Sequence, residues 1–495
     1  MRSHRLRGCL VIAALFAGSS ASAQDNPDQK TDEKTQDKTS ETTERAAAPD
    51  RVAQAEPSAA PSAGPSPVAP APAPMTEDQL RKMIDEQVVK MRGGSVRLDF
   101  NGYARAGVGL TIRGGKQVCF NLPGADTHWR LGNECDYVIE PQFTGRLVNL
   151  PDGSSWGVVA MPGLYRTWED QNGADKTWFN DVPAVFRQIY FFGENIPQLA
   201  GGRVWGGRRY YDRLHLDIND QFLEIHDSDG AGVEDMHVGP GKFSAAFLMN
   251  PNSEADQVLP TGATVAISTA NKAPFKLNLR YTDIPTVPNG NLQIWGGWQG
   301  YSTSVDQKDA NVVIVKPDDQ FRLAAYHQLN KVLGGTNLVG VKGEFGTNFL
   351  QVRGVVEEHM MFNNDHTSFD VIGEFRTKRT RPAADTVTEN WGSLGARVDT
   401  QISGPFRFLF EAGWDRVFPE TGEAPQLIKA TACLAINAGD GPGARPTVRL
   451  FYTQGFWNDA AKALFAAGAG GNRIAQVYGD KTTGGSVGLQ AEAWW

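Results

Sequence analysis

Few of the reactive side chains in this chain stand at the spacings that catalysis requires. No G-x-S-x-G turn presents a nucleophile, and no P-loop offers its amides to a phosphate. The eight histidines form no His-x-x-x-His pair and no zinc spacing. Asp227-Ser-Asp229-Gly looks like the start of a calcium loop, but the later ligands and the closing Glu are absent. A simple turn is the better reading there. What recurs instead is alternation. Tyr103 and Arg105 share one parity with Arg97, Asp99 and Asn101, opposite Val96, Leu98, Phe100, Ala104, Ala106, Val108 and Leu110. In the last nine residues, Gly488, Gln490, Glu492 and Trp494 stand opposite Val487, Leu489, Ala491, Ala493 and Trp495. A face of this kind can bind without catalysing. Aromatic rings stack, and guanidinium and carboxylate groups exchange hydrogen bonds. No cofactor or metal is implied, and no enzyme activity.

Period-two alternation calls for β-strands, wet on one side and apolar on the other. Pro405 to Trp414 sets Phe406, Phe408, Phe410 and Trp414 against Arg407 and Glu411, and Thr447 to Thr453 sets Val448, Leu450 and Tyr452 against Arg449. Turn-forming stretches such as PDGSS, VPNGN and GDGPG separate the strands. Only DAAKALFAAGAG (459–470) suggests a short loop helix. An alternating strand that closes on an aromatic suits a transmembrane barrel, whose apolar outer band ends in aromatic girdles. Residues 95–495 spread over about eighteen strands leave roughly 22 residues each, one tilted span plus its turns. The expected fold is all-β: a transmembrane antiparallel β-barrel of about 18 strands, with a short N-terminal periplasmic helix.

Composition agrees. The chain has 495 residues, 40% of them hydrophobic, and a net charge of −8, which argues against a nucleic-acid partner. Modest hydrophobicity suits a barrel, since only alternate strand residues meet lipid. Arg2, Arg5 and Arg7, the apolar run 9–18 and Ala21-Ser22-Ala23 read as an export signal over 1–23. Residues 24–74 read as a charged, then Pro/Ala-rich linker. Thr76 and Gln79 form a capping box. Leu80, Ile84, Gln87 and Met91 follow a 3-4-4 spacing that suits a short coiled coil over 75–94; the alternative is an isolated amphipathic helix. Cys119 and Cys135 stand 16 apart, and an oxidising compartment permits a bridge worth about 3 kcal/mol in chain entropy. Cys433 is then odd, and reads as a buried or lipid-facing free thiol.

Several stretches resemble the maltoporin (LamB-type) sugar porins. They are FNGYARAG (100–107), Cys119-Phe120 with WRLGNEC (129–135), VWGGRRYYDR (204–213) with DGAG (229–232), and Arg449-Leu-Phe451 with Glu492-Ala-Trp-Trp495. The N-terminal extension is similar to that of the sucrose- and raffinose-type members. The resemblance implies a homotrimer of barrels in the bacterial outer membrane, with the extension in the periplasm and a first loop closed by Cys119–Cys135. It implies facilitated passive diffusion of a maltodextrin, sucrose or another oligosaccharide, with periplasmic sugar-binding components as further partners. It carries Tyr103, Trp494, Phe222 and Trp178 (or Phe179, lent to a neighbouring subunit) onto an aromatic slide. It carries Arg105, Arg130, Glu140, Arg187, Arg213 and Asp220 onto a polar track.

The departures bear on selectivity. Slide positions read Val138, Thr336 and Ile402; at the constriction a tyrosine reads Phe222 and an acid reads Ile225. A general, weakly selective porin is the alternative within transport. An exported carbohydrate-binding β protein is the alternative outside it.

Overall fold

The computed structural model describes residues 96–167, 184–249, 272–303, 319–380, 387–468 and 473–495. The expected export signal, linker and coiled-coil helix lie outside them. Among the described residues, twenty strands run from β1 (Arg97–Thr111) to β20 (Thr483–Trp494). Eighteen form one sheet, each paired antiparallel with its neighbour in the chain, and β1 pairs with both β2 (Asp136–Asn149) and β20. That last pairing closes the barrel and leaves no free edge. The other two strands, β6 (Leu214–Leu216) and β7 (Gln221–Glu224), form a small hairpin within loop 210–227.

Register turns sequence parity into inside and outside. Tyr103 lies across from Glu140 on one side and Trp494 on the other; Arg105 lies across from Val138 and Glu492. The opposite parity is exposed and apolar, as at Leu98, Phe100, Val108 and Leu110 on β1 and Val487 and Leu489 on β20. The band continues round the barrel through Phe191, Leu323, Val341, Leu394, Leu434 and Leu450. Lipid suits such a surface, because each square ångström withdrawn from water is worth about 25 cal/mol. Trp495 extends the seam, its amide and carbonyl both bonded to Gly102 at 3.2 and 3.1 Å. Its ring sits 5.5 Å from that of Phe100, which sits 5.2 Å from Phe143. This outward cluster has the character of an interface girdle.

Long loops fold into the barrel at one end. In loop 112–135, Cys119 and Cys135 are disulfide-bonded, with Cα atoms 6.0 Å apart. The loop's Trp129 lies flat against Gly395 and Gly413 on the inner wall. A Cβ added at Gly413 would come within 1.9 Å of the ring, so only glycine permits this approach. The indole Nε1 donates to Asp415 at 2.9 Å. Leu131 is pinned through its backbone: its amide donates to Glu411 at 3.0 Å, and its carbonyl accepts from Lys429 at 2.5 Å. Leu131 packs with Leu409, Ala435, Phe451 and the free thiol of Cys433, which is buried on the inner side. The expected loop helix forms as α1 (Asp459–Ala466), capped by the Asn458 side chain. With α2 (Ile474–Tyr478) it joins an apolar cluster containing Phe120, Trp391 and Trp457. Among the described residues, no helix is long and apolar enough to cross a membrane.

Candidate functional site

At the seam, first, last and looping elements meet on one carboxylate. Glu492 points inward from β20 and is buried. It accepts from the Tyr103 hydroxyl at 2.9 Å and from Arg130 at 2.6 Å. Arg445 and Arg449 reach its other oxygen at 2.8 and 2.9 Å. Arg105 forks onto Asp136 with two bonds of 2.8 Å, and its remaining nitrogen contacts the Tyr103 hydroxyl and Glu134. Arg130 also contacts Glu134 and reaches Asp217 in loop 210–227. Burial opposes ionisation of Asp217, but Arg130 and Arg397 outweigh it and hold the carboxyl well below the usual carboxylate range. The network therefore ties both inward loops to the closing strands.

Loop 210–227 is fastened on its far side as well. Glu224, fully buried, accepts from Tyr326 at 2.9 Å and pairs with His226 at 3.0 Å and Arg322 at 3.5 Å. Asp212 pairs with Arg280 at 2.8 Å and accepts from Asn278 at 2.7 Å. Burial pushes the Asp212 carboxyl up to about 6 despite Arg280 beside it. Leu216, Ile218 and Leu223 pack with Trp129, Trp295 and Tyr326 across the lumen wall.

A cavity of about 590 Å³ opens on the near side of this loop. Its lining is Tyr165, Arg187, Arg208, Arg209, Tyr210, Arg213, Ile225, Asp227 and Ser228. The strands behind it are β3 (Ser155–Thr167), β4 (Ala184–Ile196), β5 (Gly202–Arg209) and β8 (Ser228–Val238). A register shift in the β3–β4 pairing falls at Met161/Pro162, next to Arg187. Arg187 lies against Gly163, with its Nε 3.5 Å from Glu140. Arg213 bonds Asp227 through Nε at 2.9 Å, and its guanidinium carbon lies 3.3 Å over the Tyr210 ring. The Tyr210 hydroxyl donates to Glu140 at 2.7 Å, bridging loop and wall.

The expected residues thus fall into separate groups. Tyr103, Arg105 and Arg130 share the seam network. Glu140, Arg187 and Arg213 gather at the cavity. Asp220 sits in the turn of the β6–β7 hairpin, 2.9 Å from His215 and 3.4 Å from His128. Phe222 stacks on His215 with centroids 4.3 Å apart. Trp494 has the inward parity, is 44% exposed, and carries Arg445 4.0 Å over its ring. Trp178 lies outside the described residues. Val138 has the inward parity expected for it, whereas Ile402 is exposed on the outward parity and lines no lumen. Sequence reasoning missed Glu492, Glu134, Tyr165, Arg208 and Arg209 as site residues. Inward parity beside Trp494 was a usable signal for Glu492; Glu134 lies in a loop and has none.

A model of the LamB porin family matches residues 98–495. Among solved structures, OpdQ of Pseudomonas aeruginosa is 10% identical, with 81% of this chain and 99% of that one covered and a TM-score of 0.44. The outer membrane protein OprD of Pseudomonas aeruginosa is 9% identical, with 80% and 93% covered and a TM-score of 0.41. OmpT of Vibrio cholerae in its trimer form is 7% identical, with 81% and 100% covered and a TM-score of 0.35.

Proposed function

This chain belongs to the LamB porin family and is an outer-membrane porin, and we propose that its lumen passes small saccharides by facilitated passive diffusion. The observation that carries the reading is the cavity beside loop 210–227, where two tyrosines stand among guanidinium groups. A pyranose offers an apolar face to a ring and hydroxyls to charged flanks, and each contact is weak enough to release. Transport then runs down the concentration gradient and needs no chemical step. The working form is a homotrimer, in which Trp178 or Phe179 reaches a neighbouring pore and residues 24–94 serve trimer support or contact with the periplasm. Deleting 24–94 leaves a conducting trimer on this reading; loss of all membrane insertion would overturn that assignment.

The departures from the slide pattern at Val138 and Thr336 favour a second reading, a general porin with no specific binding. Single-channel recording in a planar bilayer separates the two. Maltose, sucrose, raffinose and monosaccharides are titrated against the open-channel current. Concentration-dependent block by one of them supports the saccharide pore, and no block by any supports the general one.

A further inference from the structure

The arginines of the cavity point to a narrower substrate class. Arg187, Arg209 and Arg213 line it with one carboxylate, Asp227, while Arg208 lies across from the exposed Ile189 on the outward parity of β5. Each arginine has an acidic partner, but the partners stand mostly behind the lining. Arg187 and Arg213 are 32% and 30% exposed, against 18% and 8% for Glu140 and Asp227. Arg209 reaches back to the buried Glu234 at 2.6 Å. Arg208 meets Asp229 at 3.4 Å across the β5–β8 pairing, and the two are about equally exposed, at 45% and 47%. At Arg187 and Arg213 the positive end is thus more exposed than the carboxylate it meets. Ile225 adds an apolar patch in the same lining.

A neutral sugar would offer only hydroxyls to the exposed parts of Arg187 and Arg213. A carboxylate or phosphate accepts charge-assisted bonds from a guanidinium fork, which are roughly twice as strong as neutral ones. Tyr165 stands 6.0 Å from the Arg187 guanidinium, a spacing that lets one sugar ring meet the tyrosine while its anionic substituent meets the arginine. Resting on the saccharide-pore reading above, we propose that this cavity selects saccharides carrying an anionic group, a uronate carboxylate or a sugar phosphate, over neutral saccharides of the same size.

The test is current block of the full-length porin in planar bilayers at pH 7. Digalacturonate is compared with a neutral galactose disaccharide, and glucose 6-phosphate with glucose. The half-blocking concentration is expected to be about tenfold lower for the anionic member of at least one pair. Which pair responds tells carboxylate from phosphate. The preference should shrink between 0.1 and 1 M salt, as the screening length falls from about 10 to about 3 Å. It should also fall in the Arg187→Gln/Arg213→Gln double variant. Equal block by both members of each pair overturns the proposal and leaves the saccharide pore standing. Absence of block by any sugar overturns both. A preference unchanged in the double variant, with the variant still conducting, overturns the assignment to this cavity.

Discussion

The seam between β1 and β20 and the wall from β3 to β5 are both rich in arginine, yet they use it differently. At the seam Arg105, Arg130, Arg445 and Arg449 are 7–11% exposed, and the carboxylates they meet at Glu134 and Glu492 are almost fully buried. At the cavity Arg187 and Arg213 are 32% and 30% exposed, while Arg209, paired with Glu234, is 12% exposed. Charges drawn out of water must be matched within the protein, so each seam arginine is committed to its partners. Charges left half in water keep donors for a passing ligand, and their pairs add little to stability. Residue type alone does not make a polar track; the loops that cover one part of the lumen and spare another do.

The comparison can be broken most severely at Glu492. Glu492→Ala strands Arg130, Arg445 and Arg449 together in a buried site, and should cost about 3–5 kcal/mol. Urea unfolding of the refolded barrel, followed by loss of its heat-resistant gel mobility, measures this; a loss under about 1 kcal/mol would show the seam to be as dispensable as a surface pair. Gly413→Leu attacks the cover itself. The new side chain collides with Trp129, at an expected cost of about 1–3 kcal/mol from overpacking. It should also lift loop 112–135 and raise single-channel conductance. An unchanged conductance would mean that the loop does not narrow the pore.

Smaller effects sharpen the contrast. Trp494→Ala removes a ring already covered on one face by Arg445. It should weaken sugar block about fivefold, the equivalent of about 1 kcal/mol, without abolishing conductance. Arg187→Gln should lower the unfolding free energy least of all, by less than about 1 kcal/mol. A destabilisation as large as that of Glu492→Ala would erase the distinction between seam and cavity.

Much of this was readable from order alone. Alternation at Phe406, Phe408 and Phe410 against Arg407 and Glu411 is a local property with period two, so it survives into the structure as lipid side and lumen side. Parity likewise separated Trp494 from Trp495, and the chain's resemblance to sugar porins matched a family that spans the barrel. The free cysteine was readable only as far as its two options, and packing under Leu131 chose the buried one.

Period two says which face a residue takes, not which other segment comes to meet it. Arg130 lies 362 residues before Glu492, and Trp129 lies 286 before Asp415. No spacing in the chain encodes those distances, because the inward loops are irregular and their partners stand on strands far around the barrel. The sequence by itself determined the barrel class, the two faces of the strands at its ends and the closing seam. The tertiary structure decided which lumen arginines are consumed in holding loops and which remain facing the cavity, because that depends on where two loops pack inside a closed sheet.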